Sequence, residues 1–227
     1  MSIDMGTLYI VATPIGNLAD ITLRALEILR CVDYILCEDT RVTGKLLAHY
    51  KFSNKMISLN DFNEPLKVAS VVGDLALGKN IALVSDAGTP LVSDPGYKLV
   101  RECIHHRAAV EAIPGPTSLI AALTVSGLPP DKFTFLGYLP KQDAKRLKML
   151  EAIKENQHSL KSTTIIFESP FRVLKTLEII KGVFGDTDVV VCRELTKLYE
   201  EVRREKVSQS IAHFSQTKPK GEFVILF

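Results

Sequence analysis

The 227-residue sequence predicts an α/β protein built as two α/β domains. Three observations carry that expectation. Through the first half, short apolar runs of strand length alternate with helix-period segments, the pattern of a parallel, doubly wound sheet covered on both faces. The strand at Ile81 leads into IALVSDAGTPLVSDPG, where a long loop dense in Asp, Gly, Pro, Ser and Thr follows the apolar run; in open α/β sheets such strand ends face the ligand crevice. After Gly127-Leu128-Pro129-Pro130 the texture changes. There YEEVRREKV alternates like a strand with one solvated face, which points to a mixed or antiparallel second sheet. The expected division is 1–117, an N-terminal domain with a parallel sheet, and 118–227, a C-terminal domain with a mixed sheet.

In chain order, Leu8 to Ala12 reads as the first buried strand, followed by the turn TPIGNLAD and a helix from Ile21 to Arg30 with Asp20 as its N-cap. Tyr34 to Cys37 form the second strand. At its tip stand Glu38, Asp39, Thr40 and Arg41, before a helical stretch from Lys45 to Tyr50. Two carboxylates and a guanidinium there fit either an ion pair with a helix cap or a catalytic group, because such charges are costly to bury unpaired. A strand at Met56 to Leu59 leads into a helix from Pro65 to Leu77, which Gly78 terminates. The central strand Ile81 to Val84 follows. In its loop Gly88 and Gly96 allow close approach of backbone to a ligand, Pro90 and Pro95 restrict the shape, and Asp86 and Asp94 offer acceptors. A helix from Tyr97 to Arg107 and a strand from Ala109 to Ile113 complete the alternation. IPGPTS then repeats the order of strand, rigid turn and helix, with Thr117 or Ser118 as cap.

In the second half, strands fit Phe133 to Leu136, Thr163 to Phe167, Val189 to Cys192, Glu200 to Arg204 and Glu222 to Phe227. Helices fit Asp143 to Glu155, Phe171 to Val183 and Ser208 to Gln216. Polar strand tips occur at Glu168-Ser169-Pro170-Phe171-Arg172 and at Arg193-Glu194-Leu195-Thr196-Lys197. Basic residues cluster at Lys141, Lys145, Arg146 and Lys148, and again at Arg203, Arg204 and Lys206. Each cluster is by itself an ordinary solvated face.

Composition excludes several classes. Net charge is +2, which neither announces nor excludes a nucleic-acid partner. No apolar run reaches the ~20 residues needed to cross a bilayer, and the N-terminus lacks the order of a signal peptide. The four cysteines, Cys31, Cys37, Cys103 and Cys192, show neither CxxC pairing nor metal-ligand spacing and read as reduced core residues of a cytoplasmic protein. No metal site is expected. The turn at Thr13 does not match G-x-G-x-x-G, and no G-x-x-x-x-G-K-[ST] occurs, which disfavours nicotinamide, flavin and nucleoside-triphosphate enzymes of the usual kind.

Taken together, TPIGNLADIT, CEDTR, VSDAGTPLVSDPG, IPGPTS, FLGYLP, FESPFR, RELTK and GEFV resemble the tetrapyrrole-methylase superfamily over nearly the whole chain. The long SDAGTP-SDPG loop resembles its ribosomal branch, which methylates a cytidine ribose 2′-hydroxyl in the decoding region of 16S ribosomal RNA. The resemblance implies a homodimer of two-domain chains, with S-adenosyl-L-methionine held in the cleft between the domains. It also implies that Pro14, Gly16, Asp86, Ala87, Gly88, Thr89, Thr117 and Ser118 line the cofactor, with Phe167 and Leu195 contributing from the second domain. Many relatives continue past the GEFV strand, whereas this sequence stops at Phe227, so that the resemblance implies that any RNA contact made by that segment is either absent here or supplied by the basic clusters. Glu38, Asp39, Asp94, Glu168 and Glu194 are eligible as general base, and Arg41, Arg172 and Arg193 can pair with them or grip phosphate. The favoured group is Glu38, Asp39 and Arg41 together with Arg193 and Glu194. Two other readings share the fold: a methylase of a small tetrapyrrole, and a non-catalytic S-adenosylmethionine-binding, ribosome-associated module.

Overall fold

The computed structural model describes residues 5–157 and 161–227. Contacts divide the chain into two compact units, Met1–Thr117 and Ser118–Phe227.

In the first unit, strands β1 (Thr7–Val11), β2 (Tyr34–Cys37), β3 (Met56–Ser58), β4 (Ile81–Val84) and β5 (Ala109–Ile113) form one sheet of order β3-β2-β4-β1-β5. Every pairing is parallel. Helices α1 (Leu23–Cys31), α2 (Thr40–His49), α3 (Glu64–Ala76) and α4 (Tyr97–His105) supply most of the crossovers. Successive strand residues point to opposite faces, and both faces are covered. Ile35 and Cys37 join Val11, Ala82 and Val84 in one core with Leu29 and Leu47. Tyr34 and Leu36 join Leu8, Ile81 and Leu83 in another with Val71, Leu75, Leu99 and Cys103. This double burial is why the strands read as unbroken apolar runs. Each buried Leu or Val side chain adds roughly 1.5–3 kcal/mol.

Capping explains where the helices depart from expectation. Asp20 is not the cap of α1. The helix starts after Thr22, whose hydroxyl accepts from Ala25 N at 3.1 Å, and Asp20 ends a short 3-10 turn that Asn17 caps. Ile21 and Thr22 are extended, with ψ of 141° and 150°, so helical geometry cannot begin sooner. Helix α2 begins at Thr40 rather than Lys45, because Asp39 accepts from Arg41 N at 2.8 Å and starts the helix at the strand tip. Helix α4 is capped from outside itself: the buried carboxylate of Glu64 accepts from Leu99 N at 2.9 Å. Cys37, Cys103 and Cys192 are buried, but Cys31 is exposed, a correction to its expected core position. On α1 the buried residues are Ala25, Leu26 and Leu29, and position 31 falls on the opposite side of the helix.

The second unit holds α5 (Ser118–Ser126), β6 (Phe133–Tyr138), α6 (Asp143–Gln157), β7 (Thr163–Glu168), α7 (Val173–Phe184), β8 (Asp188–Arg193), β9 (Glu201–Lys206), α8 (Val207–Gln216) and β10 (Phe223–Leu226). Its sheet has the order β6-β7-β10-β8-β9. β6 and β7 are parallel, whereas β10 runs antiparallel between β7 and β8, and β8 pairs antiparallel with β9. Ile166, Val189, Val191, Phe223 and Ile225 pack against Leu150, Leu177, Ile180 and Phe214 in a single core. Helix α5 packs against β10 and β9, and Arg204 Nε donates to Val125 O at 2.8 Å, fixing its last turn. No described helix is long and apolar enough to cross a membrane.

Candidate functional site

Because the first sheet is parallel, the carboxyl ends of its strands share one edge, and the loops leaving that edge are tied to one another. Thr13 and Gly88 exchange two backbone hydrogen bonds, at 2.9 and 3.0 Å. The Thr13 hydroxyl donates to Ser85 O at 3.2 Å. Thr89 Oγ1 donates to Pro116 O at 3.1 Å, and Asp39 N donates to Asp86 Oδ1 at 3.0 Å. The segment Ser85 to Thr89 is therefore a hub joining the tips of β1, β2, β4 and β5.

Two glycines let the hub close. Gly88 has φ +83°, where side chains are disfavoured, and a Cβ there would lie 3.3 Å from Ile15 Cγ2. A Cβ on Gly115 would lie 2.9 Å from Ala12 Cβ. Gly96, expected to admit a ligand, has another reason to be glycine: its added Cβ would meet Leu83 Cδ2 at 2.6 Å, inside the core.

Beside the hub opens a cavity of about 310 Å³, lined by Thr13, Pro14, Leu18, Val42, Thr43, Lys45, Leu46, Ser85 and Asp86. Its size lies at the lower end of small-molecule sites, and its mainly apolar wall with a few polar atoms is typical of them. Of the residues expected to line the cofactor, Pro14 and Asp86 do line this cavity. Gly88 and Thr89 belong to the hub, and Gly16 and Ala87 are exposed in the same loops. Thr117 ends the first unit and Ser118 opens α5. Phe167 on β7 and Leu195 after β8 belong to the second unit. The wall residues Val42, Thr43, Lys45 and Leu46 went unnoticed in the sequence. Their signal was the spacing of Val42 and Leu46, four apart on a helix that starts at Thr40 rather than Lys45.

The strand-tip carboxylates differ sharply. Burial, reinforced by the negative field of Asp86, Asp94, Asp61 and Asp39, pushes the Glu38 carboxyl above its ordinary range. Burial likewise raises Asp86. Asp39 goes the other way: the Arg41 guanidinium, 2.5 Å from Oδ2, and the Arg41 N–H hold it at about 2. Glu168 is fully buried, accepts from the Thr176 hydroxyl at 2.5 Å and from Ser169 N at 2.8 Å, and faces Arg172 at 3.3 Å.

In the second unit, Arg193 and Glu194 are engaged by groups of that unit. Arg193 Nε lies 3.3 Å from Glu201 Oε2. Burial alone would raise Glu194, but the Lys197 ammonium at 2.9 Å and the Glu222 N–H at 3.0 Å overcome it and lower its carboxyl. The basic clusters also resolve unevenly. Arg146 is only 1 % exposed and donates to Pro140 O and Lys141 O, each at 3.2 Å. Arg203 is bound to Glu205 and Glu201, and Arg204 to Val125 O. Arg146 is buried, which corrects its expected place in a basic surface cluster, whereas Arg203 and Arg204 are engaged by the protein's own groups and Arg204 stays exposed. Lys141, Lys145 and Lys148 remain exposed.

Comparison with known proteins identifies the family. The family profile of the Tetrapyrrole (Corrin/Porphyrin) Methylases matches residues 7–210. A Thermotoga maritima protein named ribosomal RNA small subunit methyltransferase I is 46% identical over 222 residues, covering 98% of each chain. A Vibrio cholerae protein of the same name is 48% identical, over 96% of this chain and 76% of its own length. Among solved structures, a cobalt precorrin-4 methyltransferase superposes with TM-score 0.67 at 21% identity, covering 97% of this chain and 94% of its own. Diphthine synthase superposes with TM-score 0.72 at 14% identity, covering 97% and 89%. At those identities the likeness is one of fold, and it agrees with the profile match over most of the sequence: the chain belongs to the tetrapyrrole (corrin/porphyrin) methylase family.

Proposed function

We propose that this chain is an S-adenosyl-L-methionine-dependent methyltransferase of small-subunit ribosomal RNA, acting in the cytoplasm as a homodimer on the ribose 2′-hydroxyl of a cytidine in the decoding region of 16S ribosomal RNA. The observation that carries the reading is the 46–48% identity, over nearly the whole chain, to proteins named for that RNA. The small-tetrapyrrole reading draws on the family profile, which spans the whole superfamily, and on solved structures of tetrapyrrole methyltransferases at only 20–21% identity.

The cavity beside the hub fits a donor of this kind. Leu18, Val42 and Leu46 offer apolar contact to a neutral nucleoside, and Asp86 offers an acceptor. When bound, S-adenosyl-L-methionine supplies a methyl group already activated on a sulfonium. The protein's task is then to position the hydroxyl and to take its proton. Glu38 suits the second role, since its raised affinity for protons makes it the better base among the favoured carboxylates. Asp39 and Arg41 neutralise each other and fix the turn that carries Glu38.

The test is a side-by-side assay with labelled S-adenosyl-L-methionine, using small subunits that lack the modification, protein-free RNA of the same sequence, and a uroporphyrinogen. Label is expected in one 2′-O-methylated cytidine. It should appear much faster on the subunit, because an assembled target is already ordered and a free one must be ordered at binding. Label in the macrocycle alone, or none in RNA, overturns the reading.

A further inference from the structure

The second unit carries an aromatic edge whose residues do not line the cavity described above. β6 and β7 run parallel, so their carboxyl ends lie together. Along them Phe135, Tyr138 and Phe167 make edge-to-face ring contacts, with centroids 4.8 Å apart for Phe135 and Phe167 and 5.8 Å for Tyr138 and Phe167. A bulge creates the group. Phe135 pairs with Ile165 and Tyr138 with Phe167, so β6 carries one extra residue, which brings Tyr138 to the side of Phe135. Tyr138 is 55% exposed, and Phe171, in the loop after β7, is 90% exposed.

The loops bearing these rings are held firmly. Arg172 Nη2 donates to Leu139 O at 2.7 Å and to Pro140 O at 3.1 Å. Buried Arg146 adds its bonds to Pro140 O and Lys141 O. Two guanidinium groups thus fix three consecutive carbonyls, and buried Glu168 stands against Arg172. A fold that commits two arginines to one surface loop presents a preformed shape, which lowers the ordering cost of binding. Beside it, Lys141, Lys145 and Lys148 are exposed.

Exposed aromatic rings next to solvated lysines favour a ligand with flat apolar faces and negative charge. Stacking on rings is tolerant of base identity, and lysines pair with phosphates. We infer that the β6–β7 edge is a base-stacking platform for single-stranded RNA, holding nucleotides of the substrate strand, with Tyr138 and Phe171 as the stacking rings and Lys141 as a phosphate contact. The inference rests on the RNA reading proposed above. It gives that reading a physical role: a ribose hydroxyl reaches an enzyme site only when its nucleotide is drawn out of RNA structure, and something must hold the strand while it is out.

The experiment measures binding of the full chain to a fluorescein-labelled, unstructured 12-nucleotide RNA by anisotropy over a range of salt, alongside initial rates on unmodified small subunits. Tyr138→Ala and Phe171→Ala should each weaken RNA binding roughly 5- to 150-fold, leaving the salt slope unchanged. Tyr138→Phe and Phe171→Tyr should bind like wild type, and Lys141→Ala should reduce the slope by roughly one. Alanine variants that bind as well as wild type overturn the platform. So does a loss of dimer mass in sedimentation accompanying the loss of binding, which would make this edge a contact between copies of the chain. A wild type that binds the oligonucleotide through these rings but methylates no RNA removes the proposed reaction and keeps the platform. A wild type that methylates RNA beside equally active alanine variants removes the platform alone.

Discussion

Glu38 and Asp39 adjoin in the chain and are driven in opposite directions. Asp39 faces a guanidinium and a helix N-terminus, which favour its charged form, and it stays ionised down to about 2. Glu38 loses water and sits in the field of Asp86 and Asp94, so its charged form is disfavoured. A base must be ionised to accept a proton. The rate should therefore fall as Glu38 protonates, with the acidic limb of kcat/KM against pH displaced above the ordinary glutamate value. Glu38→Gln should cost roughly a hundredfold or more in kcat. Asp86→Asn, which keeps an acceptor for Asp39 N but removes a charge, should move the limb to lower pH. A Glu38→Gln enzyme of wild-type rate would assign the proton to another group. The pairing of Asp39 with Arg41 was legible as one of two alternatives, but the raised Glu38 was not, because it depends on burial and on Asp86, Asp94 and Asp61, which enter from loops tens of residues away.

Helix α6 shows why one basic cluster misled. KQDAKRLK reads as a run of surface charge, yet Arg146 shares a face with Met149, Leu150 and Ile153, at spacings of three, four and seven. It occupies a core position with a guanidinium in place of a methyl group, and the carbonyls of Pro140 and Lys141 justify the cation there. Arg146→Met should lower unfolding free energy by about 1.5–3 kcal/mol, the range for hydrogen bonds to a charged group. Lys145→Ala, one residue earlier and exposed, should stay within about 0.5 kcal/mol. Urea unfolding of the two variants checks this, and equal losses would return Arg146 to the solvated face. The strands were easier to read than the helix ends. Runs such as TLYIV and YILC have the length and β-branched or aromatic content of strands, whereas the start of α2 depended on one capping carboxylate, Asp39, that sequence also allowed to be catalytic.

At the scale of the molecule, the two sheets are wired differently. The change of texture near Gly127 and the alternation in YEEVRREKV made a mixed second sheet legible, and β8 to β10 have it. The strand order was not legible, because it depends on which edges meet in space. That order has a consequence for synthesis. The first sheet is complete once β5 has left the ribosome, but in the second the last strand to emerge, β10, fills the middle position between β7 and β8. At roughly 5–20 residues per second, the first unit has roughly 5–20 s to fold before β10 is available. A nascent chain halted with residue 206 outside the tunnel should accordingly carry a protease-resistant first unit and a cleavable second; resistance of both would sink the idea. Until then Val189 to Val191 and Ile165 to Phe167 stand as open edges flanking an empty slot. The growing polypeptide is thus most prone to mispairing just before translation of the second unit ends, and it needs chaperone cover late rather than early.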